Sequence, residues 1–283
     1  MVTGASRGIG RATAMAFAKG GFDLVITARA ENRKRDGELT DALGQPLAGS
    51  LADTETALLH LGAKVLALPM DLLDSTSIDL AAAQALAHFG RVDVLVNNAI
   101  YQGIDINASL ADLRPDTLLR VWQAYLQAPL QLTLLLLPAM LAAGKGSIIN
   151  VSSGAGESDP PLPAGQGGWG FAYGAGKAAL SRLAGVIAAE YGRQGIFAYT
   201  VNPGIVNTEA LRASIGEDGE LARRYGATPP ELPAAVLLWL ATSELAPQFQ
   251  RQTVQAQRLA KAQGLVPFIV LQQASAQSRN CLR

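Results

Sequence analysis

Tyr173 and Lys177 stand four apart in the run YGAGK, at the start of a helical pattern. Residues at i and i+4 share a helix face. An ammonium beside a phenol favours the phenolate and lowers its pKa from the ordinary value of about 10. So placed, Tyr173 could give or take a proton near neutral pH; read alone, the pair is more readily a surface Tyr/Lys contact, which is common. Ser152 and Ser153 close the run INVSS, where a hydroxyl could bind a substrate oxygen beside that tyrosine. By themselves they are strand-end turn residues.

A second group is suited to phosphate. Gly4, Gly8 and Gly10 in TGASRGIG lie at a strand-to-helix turn with G-x-x-x-G-x-G spacing. Glycine lets the backbone approach a diphosphate, and the following helix N-terminus supplies free N–H groups and positive dipole. A plain βα turn would look much the same. Further on, VNNA (96–99) ends in two side-chain amides, and VNPGIVNTE (201–209) turns at Pro203–Gly204 and carries Thr208.

The elements that must hold these groups alternate. Strand-like runs at 22–29, 63–72, 92–99, 146–153 and 195–204 are apolar and end in small or polar residues. Helical patterns fill 9–20, 53–61, 75–89, 115–143 and 173–192, and QTVQAQ reads as a last strand. Near-continuous apolar strands between helices predict an α/β fold, a doubly wound (Rossmann) parallel sheet with helices on both faces. Ligands bind at the carboxyl ends of such strands, where these motifs fall. Residues 1–283 read as a single domain, with inserted loops at 30–50 and 154–170 and no repeat or linker.

Composition narrows the partners. Lys plus Arg equals Asp plus Glu at 23 each, so no net charge draws the chain to nucleic acid or an anionic membrane. A hydrophobic share of 49% against 16% charged allows a sizeable core and argues against disorder. Cys281 has no second cysteine to pair with, which fits a reducing compartment. No signal peptide is evident, and Leu126 to Ala143 is interrupted by Pro129, Pro138 and polar residues. It reads as a buried helix too short to span a bilayer, and the expectation is a cytoplasmic protein. His60 and His88 are isolated, and no metal-ligand cluster is apparent.

Taken in order, these motifs resemble the short-chain dehydrogenase/reductase family, in its compact single-domain branch. The set is Thr3, Gly4, Gly8 and Gly10; Asp71 and Leu72; Asn97, Asn98 and Ala99; the serine; Tyr173 and Lys177; and Pro203, Gly204 and Thr208. The resemblance runs from residue 1 to about 210. It implies NAD(P)-dependent hydride transfer between a nicotinamide and a ketone or secondary alcohol. Tyr173 would be the proton donor or acceptor, Lys177 would bind the nicotinamide ribose and tune Tyr173, and Ser153 would orient the carbonyl. Gly4, Ser6, Arg7, Gly8, Ile9 and Gly10 would cradle the cofactor. Asp71 and Leu72 would contact adenine, Asn98 and Ala99 the adenosine ribose, and Pro203, Gly204, Ile205 and Thr208 the carboxamide and phosphate side. A homodimer or homotetramer is implied as well.

The acid that holds the ribose hydroxyls in NAD-binding members falls here at Ala28, followed by Arg29. Arg29 and Arg7 could instead pair with a 2′-phosphate, so NADP(H) is favoured over NAD(H). Other positions depart from the family. Tyr125 stands where an asparagine often holds a relay water, and Ile100 stands where glycine is usual and would crowd the cofactor. An SDR-fold nucleotide-binding protein with weak or lost catalysis is therefore the alternative. The long Ser153–Tyr173 gap is either a wall of the substrate pocket or a surface loop anchored by Trp169. The pocket walls would come from 100–108, 154–171 and 205–230. The tail at 256–283 is atypical, leaving the dimer or tetramer open. Only Met1 to Thr3 precede the glycine turn, so a natural chain beginning upstream of Met1 is expected.

Overall fold

The computed structural model describes residues 1–29, 40, 47–103, 105–215 and 226–265. Seven parallel strands form one sheet in the order β3-β2-β1-β4-β5-β6-β7. They are β1 (Val2–Thr3), β2 (Leu24–Ala28), β3 (Val65–Pro69), β4 (Val94–Asn97), β5 (Gly146–Val151), β6 (Ile196–Asn202) and β7 (Thr253–Gln255). The order reverses beside β1, which pairs with β2 on one side and β4 on the other (Val2 opposite Ile26 and Val96). This is the switch point at which doubly wound sheets bind ligands.

Side chains alternate across the sheet with period two, and both faces are apolar. Leu24, Ile26, Val94, Val96, Ile149, Val151, Tyr199 and Val201 face one layer. That layer holds α1 (Gly8–Lys19) and α2 (Leu51–His60), with α8 (Glu231–Thr242) and α9 (Ala256–Ala262). Val25, Leu95, Ile148, Ile196 and Ala198 face the other. There they meet α3 (Ser75–Phe89), α5 (Ala128–Ala143) and α6 (Phe171–Tyr191). Strands buried on both faces read as continuous apolar runs, which is why they stand out in the sequence.

Two helix starts show why the chain turns where it does. Ser50 caps α2 by accepting from Asp53 N at 3.0 Å, and Asp74 caps α3 by accepting from Thr76 N at 3.0 Å. Met1 packs in the second layer, and its amino group donates to Val94 O at 2.7 Å.

Several boundaries differ from expectation. The helical run 115–143 is not uniform: α4 (Pro115–Trp122) passes through a π-helical turn at Gln123–Gln127 into α5. The whole run, Pro115–Ala143, is by length and composition alone enough to cross a membrane, unlike the shorter stretch read in the sequence. Here α5 lies against the sheet through Leu132, Leu136 and Met140. Helices α7 (Glu209–Ile215) and α8 and the helix α9 within the supposed tail were not foreseen. Most of the 30–50 insertion and Cys281 lie outside the described residues.

Candidate active site

A cavity of about 450 Å³ opens at the carboxyl ends of the strands. Its floor is the β1–α1 turn. Gly4 and Gly8 adopt φ of +69° and +54°, values that favour glycine. Gly10 lies beneath the turn, where a Cβ would sit 2.1 Å from Gly4 O and 2.6 Å from Asn98 Nδ2. That close packing brings the turn down onto β4. Thr3 Oγ1 accepts from the N–H groups of Asn98 and Ala99, both at 3.0 Å, and Asn98 Nδ2 donates to Thr3 O at 2.9 Å. The Asn98 amide group thus fastens the cradle, a structural use the family resemblance did not imply. Asn97 does the same one strand on, donating to Asn150 Oδ1 at 2.9 Å.

The cradle suits a diphosphate. The N-cap of α1, Arg7, makes no side-chain cap, and the first turn of α1 carries no acid. The helix N-terminus therefore presents N–H groups and positive dipole without a competing carboxylate in its own first turn. Thr208 closes over it, its Cγ2 lying 3.2 Å from where a Cβ on Gly8 would be. At the β2 end, Ala28 and the exposed Arg29 line the cavity, and the Arg7 guanidinium donates to Gly49 O at 3.1 Å.

Ser153, Tyr173 and Lys177 converge at the other end of the same cavity. The two serines separate. Ser152 is buried, sharing a 2.7 Å hydrogen bond with Ser181 Oγ and donating to Lys177 O at 3.2 Å. Ser153 Oγ accepts from Ala155 N at 3.3 Å and stands near enough to the Tyr173 phenol to draw its pKa down. The Ser152 hydroxyl seats α6, while both serines border the cavity. Lys177 is 3% exposed, and its Nζ donates to Val151 O at 2.8 Å.

The electrostatics differ from expectation. Burial raises the Tyr173 pKa above its ordinary value, opposed by the nearby Ser153. The same burial lowers Lys177 to about 7. A desolvated lysine so close to neutrality is a weaker cationic neighbour, and its Nζ stands 6.0 Å from the Tyr173 ring centre. The geometry brings the pair together without the lowered phenol pKa that spacing alone suggested.

Every residue expected to bind cofactor or act in the reaction lines the cavity except Gly10, which lies under the turn. Asp71 and Leu72 form its β3 side, Asp71 Oδ1 accepting from Leu73 N at 3.0 Å. Ile100 also lines it. Of the supposed walls, Tyr101, Gln102, Ile106 and Asn107 contribute, whereas residues 154–171 supply none of its lining. Trp169 instead sits over Gly174 on α6, 3.3 Å from where a Cβ would be, as an anchored surface loop requires. From 205–230, Ile205, Val206, Glu209 and Leu211 contribute as well, although α7 carries no motif to single them out. Tyr125 lies behind Lys177, and its hydroxyl donates to Tyr101 O at 2.9 Å. It is not directed at a relay water beside the lysine. Among the described residues no cluster of three metal-ligating side chains occurs.

Comparison with known proteins points to one family. The family model "short chain dehydrogenase" matches residues 1–218. The short chain dehydrogenase mpl6 of Monascus purpureus is 34% identical over 248 residues, covering 84% of this chain and 74% of the relative. Dehydrogenase/reductase SDR family member 7B of Bos taurus is 32% identical over 226 residues, 80% of this chain and 62% of that protein. Two solved structures superpose over 90% of this chain. A metagenomic short-chain oxidoreductase in complex with NADP has a TM-score of 0.66, 32% identity and 94% of its own chain covered. L-Sorbose reductase from Gluconobacter frateurii, complexed with NADPH and L-sorbose, has a TM-score of 0.72, 25% identity and 92% covered.

Proposed function

The chain belongs to the short-chain dehydrogenase/reductase family, and from that premise we propose that it is an NADP(H)-dependent oxidoreductase acting on a ketone or secondary alcohol. The observation that carries this reading is that Ser153, Tyr173 and Lys177 line one cavity with the glycine cradle, Ser153 close enough to the phenol to act on it and Lys177 one turn along. The cradle's glycines and the open N-terminus of α1 fit a dinucleotide diphosphate. Arg29 and Arg7, with no acid at Ala28, suit a 2′-phosphate. The two nucleotide-bound neighbours carry NADP and NADPH. When bound, the nicotinamide supplies or accepts the hydride.

The chain's own residues do the rest. Ser153 and Tyr173 donate hydrogen bonds to the carbonyl oxygen as negative charge develops there. Tyr173 Oη then transfers its proton to that oxygen, or takes it from the alcohol in the opposite direction. Lys177 holds the nicotinamide ribose and orients it. The cavity's lining also includes Ile100, Ile106, Val206 and Leu211, with Gln102, Asn107 and Glu209 among them. Such walls suit a neutral, partly apolar carbonyl better than a keto acid.

A panel of ketones, aldehydes and keto acids assayed with NADPH and NADH tests this. NADPH-linked reduction of neutral carbonyls is expected. Faster turnover with NADH would overturn the role of Arg7 and Arg29. NADPH binding without turnover across the panel would favour a nucleotide-binding protein that has lost its chemistry.

A further inference from the structure

We propose that Tyr125 is a positioning residue for Lys177: its ring face holds the lysine ammonium, and its hydroxyl ties that grip to the loop carrying Tyr101. The inference rests on the role proposed for Lys177.

A buried ammonium needs compensation for lost water. Val151 O accepts from Lys177 Nζ at 2.8 Å. The Tyr125 ring supplies a second contact, its centre 5.2 Å from Nζ. That lies inside the range in which a ring face attracts a cation, an attraction that strengthens away from solvent. Tyr125 is 1% exposed, so the contact is desolvated on both sides.

Three constraints fix the ring. The hydroxyl donates to Tyr101 O at 2.9 Å. The Tyr173 ring meets it edge-to-face, with centres 6.1 Å apart and planes at 83°. Gly176, the residue before Lys177, leaves room that a Cβ would take, at 2.8 Å from Tyr125 Cδ2. The π-helical turn Gln123–Gln127 carries Tyr125 at its centre, the kind of local insertion that re-aims a side chain at a functional site. One side chain therefore touches Lys177, Tyr173 and the backbone of a cavity-lining loop.

The titratable groups facing Lys177 are Tyr173, one turn back on α6, and Tyr125, across from the α4–α5 run. From β5 it meets the Val151 carbonyl. Burial alone accounts for the direction of its shift. Removing the ring's attraction would therefore push the lysine further toward its neutral form.

The experiment labels the full chain with [15N]lysine and follows Lys177 Nζ by NMR as a function of pH, assigned by Lys177→Arg. Position 125 is changed to Phe, then to 4-fluoro-, 3,5-difluoro- and pentafluorophenylalanine, which keep the ring's shape while weakening its negative face. The Phe variant is expected to keep the wild-type midpoint. Fluorination is expected to lower it stepwise, by about half a unit to one unit across the series. A midpoint that does not move with fluorination overturns the proposal, since a purely packing role is blind to ring charge. The Phe variant also tests the hydroxyl tie, with KM for the best carbonyl of the panel expected to rise and kcat and its pH profile unchanged. An unchanged KM overturns that half. The titration needs no turnover, so an inactive wild-type protein would count against the proposed reaction and leave this result readable.

Discussion

At the Tyr173 hydroxyl two influences oppose each other, burial raising the pKa and the nearby Ser153 lowering it. The proton is therefore in place for donation to a carbonyl oxygen. Tyr173→Phe should lower turnover by at least about a hundredfold while NADPH binding, read by fluorescence, stays nearly intact. Lys177 sets a pH dependence of stability. Its pKa falls from the ordinary 10.5 to about 7 in the folded chain, so the unfolded chain holds the extra proton between those values. Stability then rises with pH across that window, and the cost of the buried ammonium is felt in full below it. In the nucleotide-free protein, Lys177→Met should raise Tm by several degrees near pH 6 and by much less near pH 10, measured by calorimetry. Arg29→Ala should raise KM for NADPH about tenfold or more and leave KM for NADH almost unchanged.

The site depends on elements that press close together. At the β1–α1 turn, an added methyl on Gly10 would meet Gly4 O at 2.1 Å, and backbone cannot swing away as a side chain can. Gly10→Ala should abolish NADPH binding, checked by calorimetric titration, along with a lower Tm. The approach of α6 to the α4–α5 run is as tight. A Cβ on Gly176 would lie 2.6 Å from Val121 Cγ1, so Gly176→Ala should destabilise the chain by about 1–3 kcal/mol in denaturant unfolding. These elements were unevenly legible. The central strands and α3, found at Ser75–Phe89 where its pattern predicts it, declare themselves by apolar runs and a capping Asp74. Helix α8 does not, since ELPAAVLLWLAT is apolar nearly all round and shows no period. The π-helical turn at Tyr125 also left no mark, because the residues either side continue a helical pattern.

For the molecule as a whole, the outer faces of α4, α5 and α6 carry exposed Leu119, Trp122, Leu134 and Val186. Isolated exposed apolar residues are ordinary, but a group on neighbouring helices suits contact with a second copy. With the family's habit of pairing through the helix that carries YxxxK, a homo-oligomer is the reading proposed. Trp122→Glu should shift the species seen by light scattering toward monomer without altering nucleotide affinity. A wild-type protein already monomeric at assay concentration would count against it.

The residue types and their order pointed to the family and to the proposed chemistry. Glycine spacing, YxxxK and apolar alternation are local properties, set by backbone sterics and side-chain period, and they survive translation into a linear string. The tertiary structure decided what locality cannot hold. It turned the Ser152 hydroxyl onto the helix, used the Asn98 amide group to fasten the cradle, and kept residues 154–171 out of the cavity lining. It also reversed the expected tuning of Tyr173, since burial outweighs the help of a lysine that is itself desolvated. Desolvation and hydrogen-bond partnership depend on which surfaces meet when β5, α6 and the α4–α5 run pack together, and that is decided by the whole chain at once.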